Sequence, residues 1–489
     1  MDTTNWTKLF RFALRRDRLY LTLWLVGLVV LGTFFVPVFP SMAGTAAEMA
    51  TLGEMMANPA MVAMCGPKYG DEYTLGIMYG QLMLVWVGLA FAAFGILLVI
   101  RHTRADEEAG RLEVLGSLPV GRSANLIAVT LLAVLANLVS GLLIGLIMPV
   151  FGVATIDLAG SLVMGLAFGA CGLAFSAVTL VIVQVAATSR GATGLSMALM
   201  GASYLVRAGG DVSAPSASLT VPLGLIEQTE PFYSNSLWPI AVMLAGSAVL
   251  AVVAFLLNRA RDLGLGLLPQ RPGPAHAPRS LSGEWGLTWR LTRGTLIGWG
   301  ITVFVVAASY GSIMGDMDSF LNSSEMYQQV MQVTPGQANM TPAVVATLMQ
   351  IMAIVGAIPV VLAVHRLASE EKKSRLDQVL GTAASRTRLY AGHALIAGVA
   401  GLALQVLSGI GFGAVAHSVM ATDPVSVGLV LKVALSSLPA LWVFGGLGLC
   451  LVGWAKGATP VTWVYLAVSF LLVYLGGTLN IPAWVPKLS

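Results

Sequence analysis

The chain has 489 residues, of which 57% are hydrophobic and only 10% charged, with a formal net charge of +4. A soluble chain carries roughly 25% charged residues, so a soluble enzyme and a disordered protein are excluded, and the slight positive balance argues against a nucleic-acid binder. A polytopic membrane protein remains.

In chain order, residues 4–18 read NWTKLFRFALRRDRL. Trp6, Leu9, Phe10, Ala13 and Leu14 share one helical face, and Lys8, Arg11, Arg15 and Arg18 lie elsewhere, the pattern of a helix at the membrane interface. Spanning a bilayer takes about 20 mostly apolar residues. Runs of that kind cover 19–39, 76–100, 124–151, 159–187, 192–211, 235–258, 295–315, 342–364, 390–416, 425–453 and 459–479. They are continuous rather than alternating, so they predict eleven helices and no strands. With the N-terminus in the cytoplasm, 23 of the 27 Lys and Arg residues fall on the cytoplasmic side, as the positive-inside rule requires.

The pattern repeats. HTRADEEAGRLEVLG starts at His102 and HRLASEEKKSRLDQVLG at His365. Asn137, Ser140, Gly141 and Gly145 match Gln405, Ser408, Gly409 and Gly413, while Phe168, Gly169, Gly172 and Leu173 match Phe444, Gly445, Gly448 and Leu449. Each half opens on an aromatic, basic helix, with Trp6, Phe10 and Arg11 in the first and Trp285, Trp289 and Arg290 in the second. The two copies share one orientation, so the fold class is all-α, with two parallel repeats of six transmembrane helices. A Pro- and Arg-rich linker, 259–283, separates a first half, 1–258, from a second, 284–489. The first half passes through TVPLGLIEQTEPF, read as an extracellular stretch, into its sixth span. The second ends before the matching span, so a twelfth helix is expected to be missing from this sequence. The ending NIPAWVPKLS is expected at the outer surface.

The two Glu-Glu segments carry the most information. Asp106, Glu107 and Glu108 are placed at the start of a helix, where acidic residues suit the dipole. Glu107 is four residues before Arg111 and Glu371 four before Arg375, which predicts helical ion pairs. Leu112 and Leu115 form an apolar stripe, as do Leu376, Val379 and Leu380. One reading is a surface helix pinned by its own pairs; the other is a docking helix for a cytoplasmic partner, which the duplication favours. Within the spans, Asn137 and Gln405 stand at matched positions and read either as helix–helix glue or, with Ser140 and Ser408, as lining of a path. Arg207 is expected to snorkel. Cys171 and Cys450 read as small core residues. Phosphate-loop, metal and catalytic-triad patterns are absent, so no catalytic residue, metal ligand or cofactor is assigned to this chain.

RHTRADEEAGRLEVLGSLPVGR, SEEKKSRLDQVLGTAASR and DLGLGLLPQRPGPA together resemble the fused permease subunits of bacterial ABC-2-type exporters of polyketide antibiotics and other drugs. The resemblance implies an export subunit in the bacterial cell membrane that moves a hydrophobic or amphipathic compound. It implies ATP on a separate ATP-binding cassette subunit, present as a homodimer or two copies, and no catalytic chemistry here. It also implies that Glu107, Glu108, Arg111, Leu112 and Leu115, with Glu370, Glu371, Arg375, Leu376 and Leu380, form two coupling helices on that partner. The alternative is an ion-coupled secondary transporter with two six-helix bundles, which should show intramembrane carboxylates. A membrane scaffold explains the spans but not the duplicated acidic loops.

Overall fold

The computed structural model describes all residues except 1–2, 42–45, 71, 263, 269–274, 277, 279–280, 282, 317–339, 383, 421–423 and 476–489. The ending NIPAWVPKLS and parts of the linker lie outside the described residues. Among the described residues there are helices and no strand. Eight helices are long and apolar enough to cross a membrane, so the chain is an all-α polytopic membrane protein. This follows from lipid physics: a spanning segment in hydrocarbon must satisfy its own backbone groups, which a helix does.

Contacts divide the chain into two units, residues 1–272 and 273–489. The first opens with α1 (Trp6–Arg16) and α2 (Arg18–Thr33), followed by the short α3 (Ala46–Met56) and α4 (Pro59–Cys65). The long α5 (Leu75–His102) leads through α6 (Arg104–Glu108) and α7 (Arg111–Gly116) into α8 (Ala124–Ile147) and α9 (Leu158–Val185). Then come α10 (Ser189–Ser213), α11 (Pro215–Ser218), α12 (Pro222–Glu227) and α13 (Trp238–Ala260). Helix α9 is the core, packed on α5, α8 and α13. Its contact with α8 is a small-residue seam, in which Gly141 meets the backbone of Gly165 and Gly145 that of Ser161. Backbones come that close only without side chains between them.

The second unit contains α14 (Glu284–Ser312), α15 (Met340–Lys372), α16 (Arg375–Leu380), α17 (Arg386–Val419), α18 (Val427–Ser436), α19 (Leu438–Trp454) and α20 (Val461–Leu475). Here α15 is the buried helix, packed on α14, α17, α18, α19 and α20.

Each of the eleven apolar runs contains a helix, but α2, α10 and α20, in the runs 19–39, 192–211 and 459–479, are not among the eight long and apolar enough to cross a membrane, which count Val427–Trp454 as one. There are two further differences from the expected spans. The opening helix and first span are separate in the first unit, broken at Asp17, but continuous as α14 in the second. Asp favours helix ends over interiors. The tenth run is broken at Ser437, just before Pro439, into α18 and α19. Cys450 is exposed on α19 rather than in the core, whereas Cys171 is buried.

Candidate functional site

The two acidic segments are placed differently. In the first unit Asp106 and Glu107 lie in the first turn of the five-residue α6, which Glu108 ends, and in the second Glu370 and Glu371 lie in the last turn of α15. Carboxylates at a helix C-terminus, as in α15, oppose the dipole, which explains why arginines gather around them. After each acidic pair the chain turns through a residue with left-handed backbone, Gly110 (φ 70°) or Ser374 (φ 53°), and enters a six-residue helix, α7 or α16. Neither short helix contains a buried residue.

The expected ion pairs are re-partnered. Arg111 meets Asp106 at 2.7 Å, not Glu107. Glu107 is buried and accepts from Arg261 at 3.0 Å, from Arg104 at 3.2 Å and from the Gly264 backbone at 2.6 Å. Arg104 in turn donates to the Val183 carbonyl and Arg261 to Gln184, so the segment is fastened to the end of α9. Glu108 is exposed and accepts from the Ser189 backbone and hydroxyl, capping α10. In the second unit Arg375 approaches Glu370 at 3.7 Å, and Glu370 also holds Arg366 at 2.6 Å. The spacing of four does not pair Glu107 with Arg111 because the turn at Gly110 falls between them, whereas within α15 Arg366 and Glu370 do pair at that spacing.

A second ionic cluster joins α6 to the start of the chain. Asp17 accepts from Arg101 at 2.7 Å and lies 3.1 Å from His102, while Arg16 donates to Asp106 at 2.8 Å. Burial acts to raise the pKa of Asp17, but the Arg101 hydrogen bond and the charges of Arg16, His102 and Arg101 outweigh it and hold the carboxyl below its ordinary value. Beneath α7, Leu115 and Val120 pack on Leu9, Ala124 and Ala128, with Trp6 and Phe10 alongside. The opening helix is therefore the floor of the acidic segment. Leu112 and Leu115 are half-buried, whereas Val114 and Leu118 are exposed. In α16, Leu376 and Leu380 are half-buried and Leu376 packs on the core of its unit. Glu371 is half-buried and Arg375 exposed.

The mid-helix polar residues sit inside their own units. Asn137 is fully buried; its amide donates to the Ala133 carbonyl at 2.8 Å, and its Oδ1 lies against Gly172 of α9. Ser140 donates to the Ala136 carbonyl. Gln405 and Ser408 are buried and bonded to each other at 3.1 Å.

Arg207 does not snorkel. It is fully buried at the far end of α10, where it meets Glu227 at 3.1 Å and Asp211 at 3.4 Å and donates to the carbonyls of Val62 and Met64. The stretch read as extracellular folds inward: Leu223–Glu227 of α12 are all buried.

The comparisons with known proteins agree with this architecture. Residues 7–259 and 281–489 match the family described as "Multidrug efflux system permease Rv1217c, C-terminal domain". This chain belongs to that family. It is 34% identical over 481 residues, covering 96% of this chain and 85% of the relative, to the multidrug efflux system permease protein Rv1217c of Mycobacterium tuberculosis (strain ATCC 25618 / H37Rv). The matched segments of this efflux permease family contain both acidic segments and both short helices.

Proposed function

We propose that this chain is the membrane-spanning permease subunit of an ATP-binding-cassette exporter in the bacterial cell membrane. It provides the path for a hydrophobic or amphipathic drug-like compound, and a separate ATP-binding subunit supplies the energy. The N-terminus and both acidic segments face the cytoplasm. The observation that carries the reading is the repeated device after α5 and α15: an acidic pair whose first carboxylate is held by arginines, a left-handed turn, and a six-residue helix with no buried residue. Two such projections suit two equivalent grooves on a dimeric partner.

In this reading Glu107 and Glu370 do not touch the partner. They anchor the segment, so that force on α7 or α16 reaches the long helices. Val114, Leu118, Glu108, Arg111, Glu371 and Arg375 lie nearer the contact. Asn137, Ser140, Gln405 and Ser408 serve helix packing, which their burial within each unit and hydrogen bonds inside their own helices favour over path lining. The ion-coupled alternative calls for an intramembrane carboxylate free to exchange protons; Glu227 and Asp211 are instead paired with Arg207.

The test is copurification from a bacterium expressing the permease with its ATP-binding subunit. Charge reversal at Glu108 and Glu371 together should leave the permease in the membrane but lower recovery of the ATP-binding subunit and uncouple ATP hydrolysis from efflux. Normal recovery and normal efflux would refute the docking assignment.

A further inference from the structure

The two units handle one place differently. In the first, four residues of the opening helix and the end of α5 and α6 form a filled ionic cluster: Arg16, Asp17, His102 and Asp106. The match of Trp6, Phe10 and Arg11 with Trp285, Trp289 and Arg290 puts Thr295 and Leu296 in the places of Arg16 and Asp17. The match of the acidic segments puts His365 and Ser369 in those of His102 and Asp106. These four residues, drawn from two independent stretches of sequence, all line one cavity of about 400 Å³ in the second unit. Where the first unit has an internal carboxylate with its arginine, the second has open space.

The cavity is not apolar throughout. Arg366, which replaces Thr103, also lines it. Glu370 Oε1 forms an ion pair with one amino group of Arg366 at 2.6 Å, but that oxygen and the arginine Nε are both buried without a hydrogen-bond partner. The Nε2 atom of His365 is likewise buried without a partner. A buried polar atom left unpaired is costly, so the arginine Nε and the imidazole favour a ligand that supplies an acceptor. Trp463, edge-on to His365 at 5.9 Å between centroids, provides an apolar wall with Leu296. A second hollow of about 560 Å³ shares His365 and Ser369 and is lined further on by Lys372 and Glu371. The combination is a guanidinium and an imidazole with unpaired nitrogens beside an apolar wall, in a volume within the ordinary range for small-molecule pockets.

We infer that this cavity binds an amphiphile with a carboxylate or phosphate head, the head on Arg366 and His365 where the first unit uses its own Asp17, and the tail along Trp463 and Leu296. The inference goes beyond the docking reading and does not depend on it.

The experiment uses the full chain in phosphatidylcholine nanodiscs, with dodecyl phosphate as probe and dodecanol and inorganic phosphate as controls. Dodecyl phosphate should raise the melting temperature saturably, and neither control should do so in the same concentration range. Arg366→Gln should need at least tenfold more probe, with partial recovery in Arg366→Lys. Leu296→Asp, which rebuilds the first unit's carboxylate, should abolish the shift; if that variant fails to fold, Ser369→Asp tests the same point. In phosphatidylglycerol nanodiscs, loss of the probe's shift identifies a lipid headgroup as the occupant, and an unchanged shift identifies a free amphiphile; either supports the site. An equal response to dodecanol or to inorganic phosphate overturns the inference. So does wild-type affinity in Arg366→Gln.

Discussion

Arg261, the first residue after α13, donates to Glu107 at 3.0 Å across 154 positions of sequence. The bond ties the end of the last helix of the first unit to the segment between α5 and α7. It is buried on both sides, and Arg104 and the Gly264 backbone complete it. The segment proposed to meet the partner is thus held by a residue that sits at the entrance to the linker.

Removing one member of a buried ion pair costs about 3–5 kcal/mol, because its partner stays buried and uncompensated. Glu107→Ala should therefore destabilise the purified permease by that order. Arg261→Met combined with Glu107→Gln should cost less than the two single changes together. Glu108→Ala loses an exposed cap and should cost about 1 kcal/mol. Thermal melts in one detergent, arranged as a double-mutant cycle, give all of these values.

The turn into α7 makes a separate claim. Gly110 has φ 70° and nothing near where a Cβ would be, so Gly110→Ala should cost only the left-handed backbone strain, about 1 kcal/mol net. Gly116 has equally open surroundings and no positive φ, so Gly116→Ala should be neutral or slightly stabilising. Equal melting temperatures for the two variants would show that the turn is not as described.

These features differ in how far the sequence revealed them. A run of about 20 apolar residues has one solution in lipid, and each of the eleven runs contains a helix. The acidic segments were visible because they recur. Their pairing was not, because Glu107 bonds to Arg104 and to the distant Arg261 rather than to Arg111. The signals were there: Gly110 between the acidic pair and Arg111, and the arginine that opens the linker. Arg207 was misread for a related reason. Near a predicted helix end an arginine normally reaches water, but α12 folds back over it and brings Glu227. The break before α19 could have been read from Pro439, which cannot donate within a helix.

The Asp17 cluster gives a pH signature. Its carboxyl is held below the ordinary value of 3.8. A lowered folded-state pKa contributes stability that is present above the unfolded value and is lost as pH falls through the folded one. Wild type should melt above Asp17→Asn at neutral pH, and the gap should narrow once the pH drops below about 4. Melting curves of both proteins from pH 7 down to pH 3 are the check; a constant gap would mean that Asp17 acts through shape rather than charge.

The central claim is that α7 and α16 meet an ATP-binding subunit, and photo-crosslinking in intact cells tests it most directly. A benzophenone amino acid is placed at Val114 or at Gln378, both exposed, with Val252 on the outer face of α13 as control. The account predicts that irradiation joins each of the first two positions to an ATP-binding subunit, identified by mass spectrometry, and that Val252 gives no such adduct. Adducts at Val114 and Gln378 that contain no ATP-binding protein, in cells that export drug normally, would contradict it.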